Sequence, residues 1–152
     1  MHIDHIAIAV ADLEAAIDTY RQLLGGADKS NLRRETVGDT ETAFFSAGGT
    51  EIELVHGEEG SVIAAFLAKR GPGLHHLALR VDHLRSVLEG LRAAGIAVIE
   101  PAPRAGSRGT SVAFIHPRAT QGVLVELVEH PALSKQSRDP KVQDGDGGNE
   151  EH

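Results

Sequence analysis

Residues 3–10 (IDHIAIAV) place Ile3, His5, Ala7 and Ala9 on one face of an extended chain and Asp4, Ile6, Ile8 and Val10 on the other. Both faces are mostly apolar, which predicts a strand covered on both sides. From Asp12 the period changes. Leu13, Ala16, Ile17, Tyr20 and Leu24 fall at helical spacing, with Asp12 placed to cap the first turn and Gly25 and Gly26 to end the helix. Strand-like runs return at 29–37, 40–47 (TETAFFSA) and 50–56 (TEIELVH), the last two joined by Gly48 and Gly49 as a hairpin turn. A short amphipathic helix is expected at 61–70, broken by Gly71-Pro72-Gly73.

The same pattern then begins again. At an offset of 71, His5 meets His76, Ala7 meets Ala78, Val10 meets Val81, Leu13 meets Leu84 and Arg21 meets Arg92. TEIELVHG (50–57) resembles VLVELVEH (123–130), with Glu53 opposite Glu126 at an offset of 73. The second half therefore predicts a strand at 74–81, a helix at 83–94, and strands near 96–100, 111–115 and 123–129. The chain is read as two copies of a βαβββ unit, about 1–58 and 72–130, in one domain spanning 1–130. Residues 131–152 (PALSKQSRDPKVQDGDGGNEEH) have almost nothing apolar to bury, so a disordered tail is expected there.

Composition narrows the function. The 152 residues contain no Cys, which excludes disulfides, thiolate zinc sites and Cys nucleophiles. With no Trp, four Phe and one Tyr, base-stacking platforms are not expected. The net charge of −7 argues against nucleic acid as a partner. No apolar run approaches the roughly 20 residues of a membrane span, and no basic flank precedes an apolar stretch at the N-terminus. A cytoplasmic protein free of membrane and nucleic acid is the expectation. Nine His without Cys point to metal or acid–base chemistry.

The repeat makes His5 equivalent to His76, and Glu53 to Glu126. A pseudo-twofold that pairs the halves would gather two imidazoles and two carboxylates. That donor set suits a divalent first-row cation such as Co²⁺, Mn²⁺, Ni²⁺ or Zn²⁺ and leaves two octahedral positions for water or substrate oxygens. An isolated His in an apolar strand is ordinarily a packed core residue. Its recurrence, together with that of the Glu, at matching repeat positions favours ligation.

The runs IDHIAIAVADLEAAIDTY (3–20), TEIELVHG (50–57), VIAAFLAKRGPGLHHLALRVD (62–82) and PRAGSRGTSVAFIHPRATQGVLVELVE (103–129) resemble the vicinal oxygen chelate superfamily. Within it they are most similar to the methylmalonyl-CoA epimerase family. The resemblance implies an α+β fold whose two tandem βαβββ modules form a curved, partly closed mixed sheet around a central metal. It implies His5, Glu53, His76 and Glu126 as the ligands, cobalt as the favoured ion, an acyl-CoA substrate and a homodimer. It also implies that Glu126 acts as a base, removing the acidified proton between a thioester and a carboxylate. Several members carry a second Glu on the strand before the Gly turn, where this chain has Thr42, with Glu41 one residue off and on the other face. Glu53 is therefore expected to be the second catalytic carboxylate.

Lys69, Arg70 and Arg104 are candidates for the coenzyme A phosphates. Gly106 and Gly109 are read as a loop over the pocket or a turn, and His116 as a structural or pocket-lining residue. His75 is expected to face away from His76 and to pack or hydrogen-bond. His2, His56, His83, His130 and His152 have no evident partner. The alternatives are glyoxalase I, which shares the donor set and enolate chemistry, and a non-catalytic binding protein of the bleomycin-resistance type, which does not need four ligands. An extradiol dioxygenase would use only two His and one carboxylate.

Overall fold

The computed structural model describes residues 1–24 and 32–132. The expected helix stop at Gly25 and Gly26, the start of the 29–37 strand and nearly all of the expected tail lie outside the described residues. Eight strands and three helices follow the order β1 (His2–Ala9), α1 (Leu13–Leu23), β2 (Leu32–Val37), β3 (Thr40–Ala47), β4 (Thr50–Gly57), α2 (Val62–Arg70), β5 (Gly73–Arg80), α3 (Leu84–Ala93), β6 (Val98–Ala105), β7 (Ser111–Ile115) and β8 (Val125–Glu129). Two βαβββ units are present, linked through α2.

All eight strands join one curled, half-barrel sheet in the order β2-β3-β4-β1-β5-β8-β7-β6. The two units meet at its centre, where β1 and β5 run antiparallel. Each first strand pairs in parallel with the last strand of its own unit, β1 with β4 and β5 with β8.

The outer face is covered twice in the same way. Val10, Leu13, Ile17, Ala43, Phe45 and Leu54 form one cluster beneath α1; Val81, Leu84, Leu88, Ala113, Ile115 and Leu127 form its counterpart beneath α3. Val10 and Val81, Leu13 and Leu84, Ile17 and Leu88, and Leu54 and Leu127 are pairs of the sequence repeat, so much of the period seen along the chain is the period of burial. Packing two helices on one face leaves the concave face free for a site.

The caps differ between units. Asp12 caps α1 by accepting a hydrogen bond from Ala15 N at 3.0 Å. Its repeat partner His83 makes no side-chain cap. The amide of Leu84 donates instead to Glu129 Oε2 on β8, at 3.2 Å.

β6 runs to Ala105, beyond the strand expected near 96–100, although it contains Pro101 and Pro103. It is an edge strand, where a missing N–H costs no ladder bond, and its pairing with β7 is interrupted between Ile99 and Arg104. The following 107–109 segment is a tight 3-10 turn, not an open loop. Arg108 N in that turn donates to Glu35 Oε2 on β2 at 2.8 Å, so the last unit is strapped to the opposite edge of the sheet.

Where β4 gives way to α2, a Cβ on Gly57 would lie 2.1 Å from the capping Ser61 Oγ and 2.9 Å from Ile63 Cβ. Gly57→Ala is therefore expected to displace the α2 cap and destabilise the protein by about 1–3 kcal/mol, read as a lower urea midpoint.

Candidate metal centre

Register at the sheet centre positions the four repeat-related groups. Ala7 lies opposite His76 on β5 and Glu53 on β4, while Ala78 lies opposite His5 on β1 and Glu126 on β8. The rows extend to Phe44, paired with Glu53, and Phe114, paired with Glu126. Two antisymmetric rows thus cross the sheet: Phe44, Glu53, Ala7, His76 and Phe114, Glu126, Ala78, His5. Each alanine is fully buried and presents a single methyl between an imidazole and a carboxylate. That small side chain leaves space for the larger neighbours to converge.

They do converge. His5 Nε2 lies 3.1 Å from Glu53 Oε2, 3.2 Å from Glu126 Oε2 and 3.2 Å from His76 Nε2. His76 Nε2 lies 2.6 Å from Glu126 Oε2 and 3.6 Å from Glu53 Oε2. Ligands about 2.1 Å from one cation stand about 3 Å apart when cis, so the separations among His5, Glu53 and His76 match a single shared ion, and Glu126 Oε2 stands beside both imidazoles. His5, Glu53 and Glu126 are buried, and the His76 side chain is 7% exposed. Glu53 Oε2 is buried without a hydrogen-bond partner. A buried anionic oxygen in that condition is costly unless a cation faces it. The donor set and this orphaned oxygen both fit a divalent ion.

The charges are tightly interdependent. Burial would lower the His5 pKa, but hydrogen bonds to Asp4 and Glu126 and the nearby charge of Glu53 outweigh it and raise it to about 11. Burial would raise the Glu126 pKa, but hydrogen bonds from His5 and His76 bring it down to about 2. The rings are held on their edges: Phe44 meets His5 at 5.9 Å between centroids, and Phe114 meets His76 at 5.5 Å.

Each His also has a partner on its Nδ1 side, supplied by the preceding residue. His5 Nδ1 lies 2.7 Å from Asp4 Oδ2, and His76 Nδ1 lies 2.9 Å from His75 Nδ1. Adjacent residues of a regular strand point to opposite faces. Here the register slips by one at Asp4 on β1 and at His75 on β5, and each bulge swings its side chain toward the following His. His75 therefore does not face away from His76 as expected; it bonds His76, packs edge-on against Phe66 at 4.8 Å and lines the cavity. Burial and the neighbouring His76 lower its pKa to about 4.

The cluster forms the floor of a cavity of about 420 Å³ with apolar walls that include Val55, Ile63, Val112 and Leu124. Among the described residues, Glu53 and Glu126 are the two carboxylates that line it. Thr42 also lines it, but its hydroxyl donates to Glu35 O, and Glu41 is exposed on the other side of β3. Arg104 and Gly106 are at the wall, Arg104 stacked over Phe114 at 5.6 Å. Lys69 is exposed on α2 outside the cavity, as is Arg70. His116 does not line the pocket either: its Nδ1 accepts from Arg118 N at 3.1 Å and caps the 117–119 turn.

Two His without an evident partner in sequence acquire one. His56 Nδ1 meets Val10 O at 2.9 Å, and His130 Nε2 meets Asp4 Oδ1 at 2.6 Å. The sequence reading also missed Asp4, Arg108, Glu51 and the two Phe of the central rows. Phe44 and Phe114 sit near the repeat offset and were legible in principle. The Asp4 and His75 bulges carry no sequence signal beyond standing just before a ligand-type His.

Residues 4–114 match the family model of the glyoxalase/bleomycin resistance protein/dioxygenase superfamily. The chain is 41% identical to the uncharacterized protein YqjC of Bacillus subtilis over 130 residues, covering 84% of this chain and 91% of that one. It is 39% identical to an ethylmalonyl-CoA/methylmalonyl-CoA epimerase of Cereibacter sphaeroides, covering 82% and 95%. Among solved structures it resembles a variant of the Streptomyces coelicolor methylmalonyl-CoA epimerase in complex with 2-nitronate-propionyl-CoA, with 31% identity, a TM-score of 0.79 and coverage of 87% and 99%.

The central rows make a prediction about space. Ala78→Val places two extra methyl groups between His5 and Glu126, and is expected to weaken cobalt binding at least about tenfold while leaving the circular dichroism spectrum unchanged. Titration against a chelating dye measures it.

Proposed function

The chain belongs to the glyoxalase/bleomycin resistance protein/dioxygenase superfamily, and we propose that it is a metal-dependent epimerase that interconverts (2R)- and (2S)-methylmalonyl-CoA. The observation that carries this reading is the placement of two carboxylates on opposite flanks of a His pair at the floor of an apolar cavity. Names and bound analogue of the similar epimerases support the acyl-CoA class.

His5, Glu53, His76 and Glu126 are the proposed ligands of a divalent ion, with cobalt favoured. When bound, such an ion polarises the thioester and carboxylate oxygens of the substrate and lowers the cost of charge on them. The protein groups supply the proton chemistry. Glu126 approaches from β8 and Glu53 from β4, either side of the β1–β5 pair. Each carboxylate has two oxygens, one to face the cation and one to exchange a proton. Glu126 takes the proton from the α-carbon, and the C–H electrons pass into the thioester carbonyl. Glu53, which enters this direction protonated, delivers its proton to the opposite face as the electrons return to the α-carbon; the centre is inverted, Glu126 is left protonated and Glu53 ionised, and the reverse direction starts from that state.

The other side chains orient and enclose. Val55, Ile63, Val112 and Leu124 give the acyl end an apolar wall that excludes water. Arg104 and Gly106, at the cavity wall, are proposed to contact the thioester arm, and Lys69, exposed on α2 outside the cavity, is proposed to meet the coenzyme A phosphates. His116 is left to its capping role. The proposal includes a homodimer, on family resemblance, and a cytoplasmic location, on the N-terminal sequence pattern; among the described residues, no helix is long and apolar enough to cross a membrane.

Deuterium incorporation into methylmalonyl-CoA in heavy water tests this reading. Cobalt-loaded protein is expected to exchange the α-proton far above the spontaneous rate. Glu126→Gln should lose about 10²-fold or more. Glu53→Gln should exchange deuterium into one epimer without inverting it, and inversion at the normal rate would remove Glu53 from its role. Absence of exchange by metal-loaded protein would redirect the assay to the glutathione hemithioacetal of glyoxalase I.

A further inference from the structure

The Arg108 side chain belongs to the second unit but reaches into the first. Its turn joins β6 to β7, and its backbone takes φ 58°, ψ 28°, a left-handed conformation that a non-glycine residue adopts only at a cost. From there Nη2 donates to Asp4 Oδ2 at 2.9 Å and Nη1 donates to Glu51. The guanidinium lies 4.3 Å from the Phe44 ring centroid, and the side chain is 13% exposed. Asp4 is more enclosed still, with its side chain 5% exposed. Its Oδ2 accepts from both His5 Nδ1 and Arg108, and its Oδ1 meets His130 Nε2.

The consequence concerns His5. A carboxylate on Nδ1 keeps the hydrogen there and leaves Nε2, facing the cluster, as the nitrogen whose proton a cation would displace. Asp4 can do this only while held on the same side as His5, and the bulge alone leaves its side-chain torsions free. Arg108 on Oδ2 and His130 on Oδ1 fix them, Arg108 compensates the buried charge, and Arg108 Nη2 itself stands 3.4 Å from His5 Nδ1. Gly106 and Ser107 of the same turn line the cavity, so one turn supplies part of the cavity wall and the support of His5. His76 has no such support, since its Nδ1 faces the neutral ring of His75.

We infer that Arg108 is a positioning residue for the metal centre, acting through Asp4 to hold His5 in its ligating tautomer and orientation. The inference rests on the proposed metal site but not on the substrate. It predicts that the two halves of the site differ, with the His5 side organised by a cross-unit ion pair and the His76 side by local packing.

The test is cobalt affinity of the full-length protein, measured by competition with a chelating dye, in a double-mutant cycle. Arg108→Gln and Asp4→Asn should each weaken cobalt binding by about 10–100-fold. The double variant should bind no worse than Asp4→Asn alone, because the two act in series. Glu51→Gln removes the other anchor of the strap and leaves the Asp4 pair, so it should change affinity by less than about threefold; Arg108→Lys, which keeps the charge, should recover part of the loss and replaces Arg108→Gln in the cycle if that variant does not fold. Multiplicative losses in the double variant, unchanged affinity in Arg108→Gln, or equal losses in Arg108→Gln and Glu51→Gln would each overturn the inference. A wild-type protein that binds no cobalt, zinc or manganese would instead overturn the metal reading under Proposed function.

Discussion

The site depends on one feature of strand pairing: the antiparallel register of β1 and β5, which sets Ala7 opposite His76 and Ala78 opposite His5. Side chains two apart on a strand share a face, so each His stands beside the alanine of its own strand and diagonal to the other His. The parallel strands then add Glu53 and Glu126 beside those same alanines. A slip of one residue would send both imidazoles to the outer face, into the clusters under α1 and α3. The helices guard against that slip. Leu13, Ile17, Leu84 and Leu88 are buried only if the present register holds.

Gathering two carboxylates and two imidazoles in an apolar interior is unfavourable by itself. The fold offsets it by spreading contacts outward from the cluster. Asp4, Arg108, Glu51, Arg33, His130 and Glu35 form a connected polar layer between the two units, and Phe44 and Phe114 close over the imidazoles. The strap from the 107–109 turn to β2 belongs to that layer. It joins the ends of the curled sheet as well as supporting the site, so stability and site geometry share the same bonds. The two units are alike in backbone and unlike in these supports, as the Asp12 and Glu129 caps also are.

Much of this was legible along the chain. Repetition of the apolar pattern located both units, and Asp12, Ser61 and Gly71 act at the helix ends as their chemistry suggests. The four residues of the cluster were found because two unusual types recurred at equal positions between apolar neighbours. Expectation and structure part where a contact is non-local or where a strand is irregular. The strand expected near 96–100 runs on through Pro101 and Pro103 to Ala105, because an edge strand tolerates them. His75 was placed on the wrong side because alternation assumes a regular strand, and a bulge reverses it. His116 serves its own turn, a role that family likeness does not reveal.

The sequence by itself determined the two βαβββ units, the faces of their helices and the identity of the four converging groups. Those follow from periodicity, which a linear chain records directly. Only the tertiary structure decided that Asp4 and Arg108, 104 positions apart, meet behind His5, and that Glu53 presents a buried oxygen with no hydrogen-bond partner. Such facts depend on where a bulge falls and how far the sheet curls. These are set by the summed packing of many residues, and no single position in the sequence carries them.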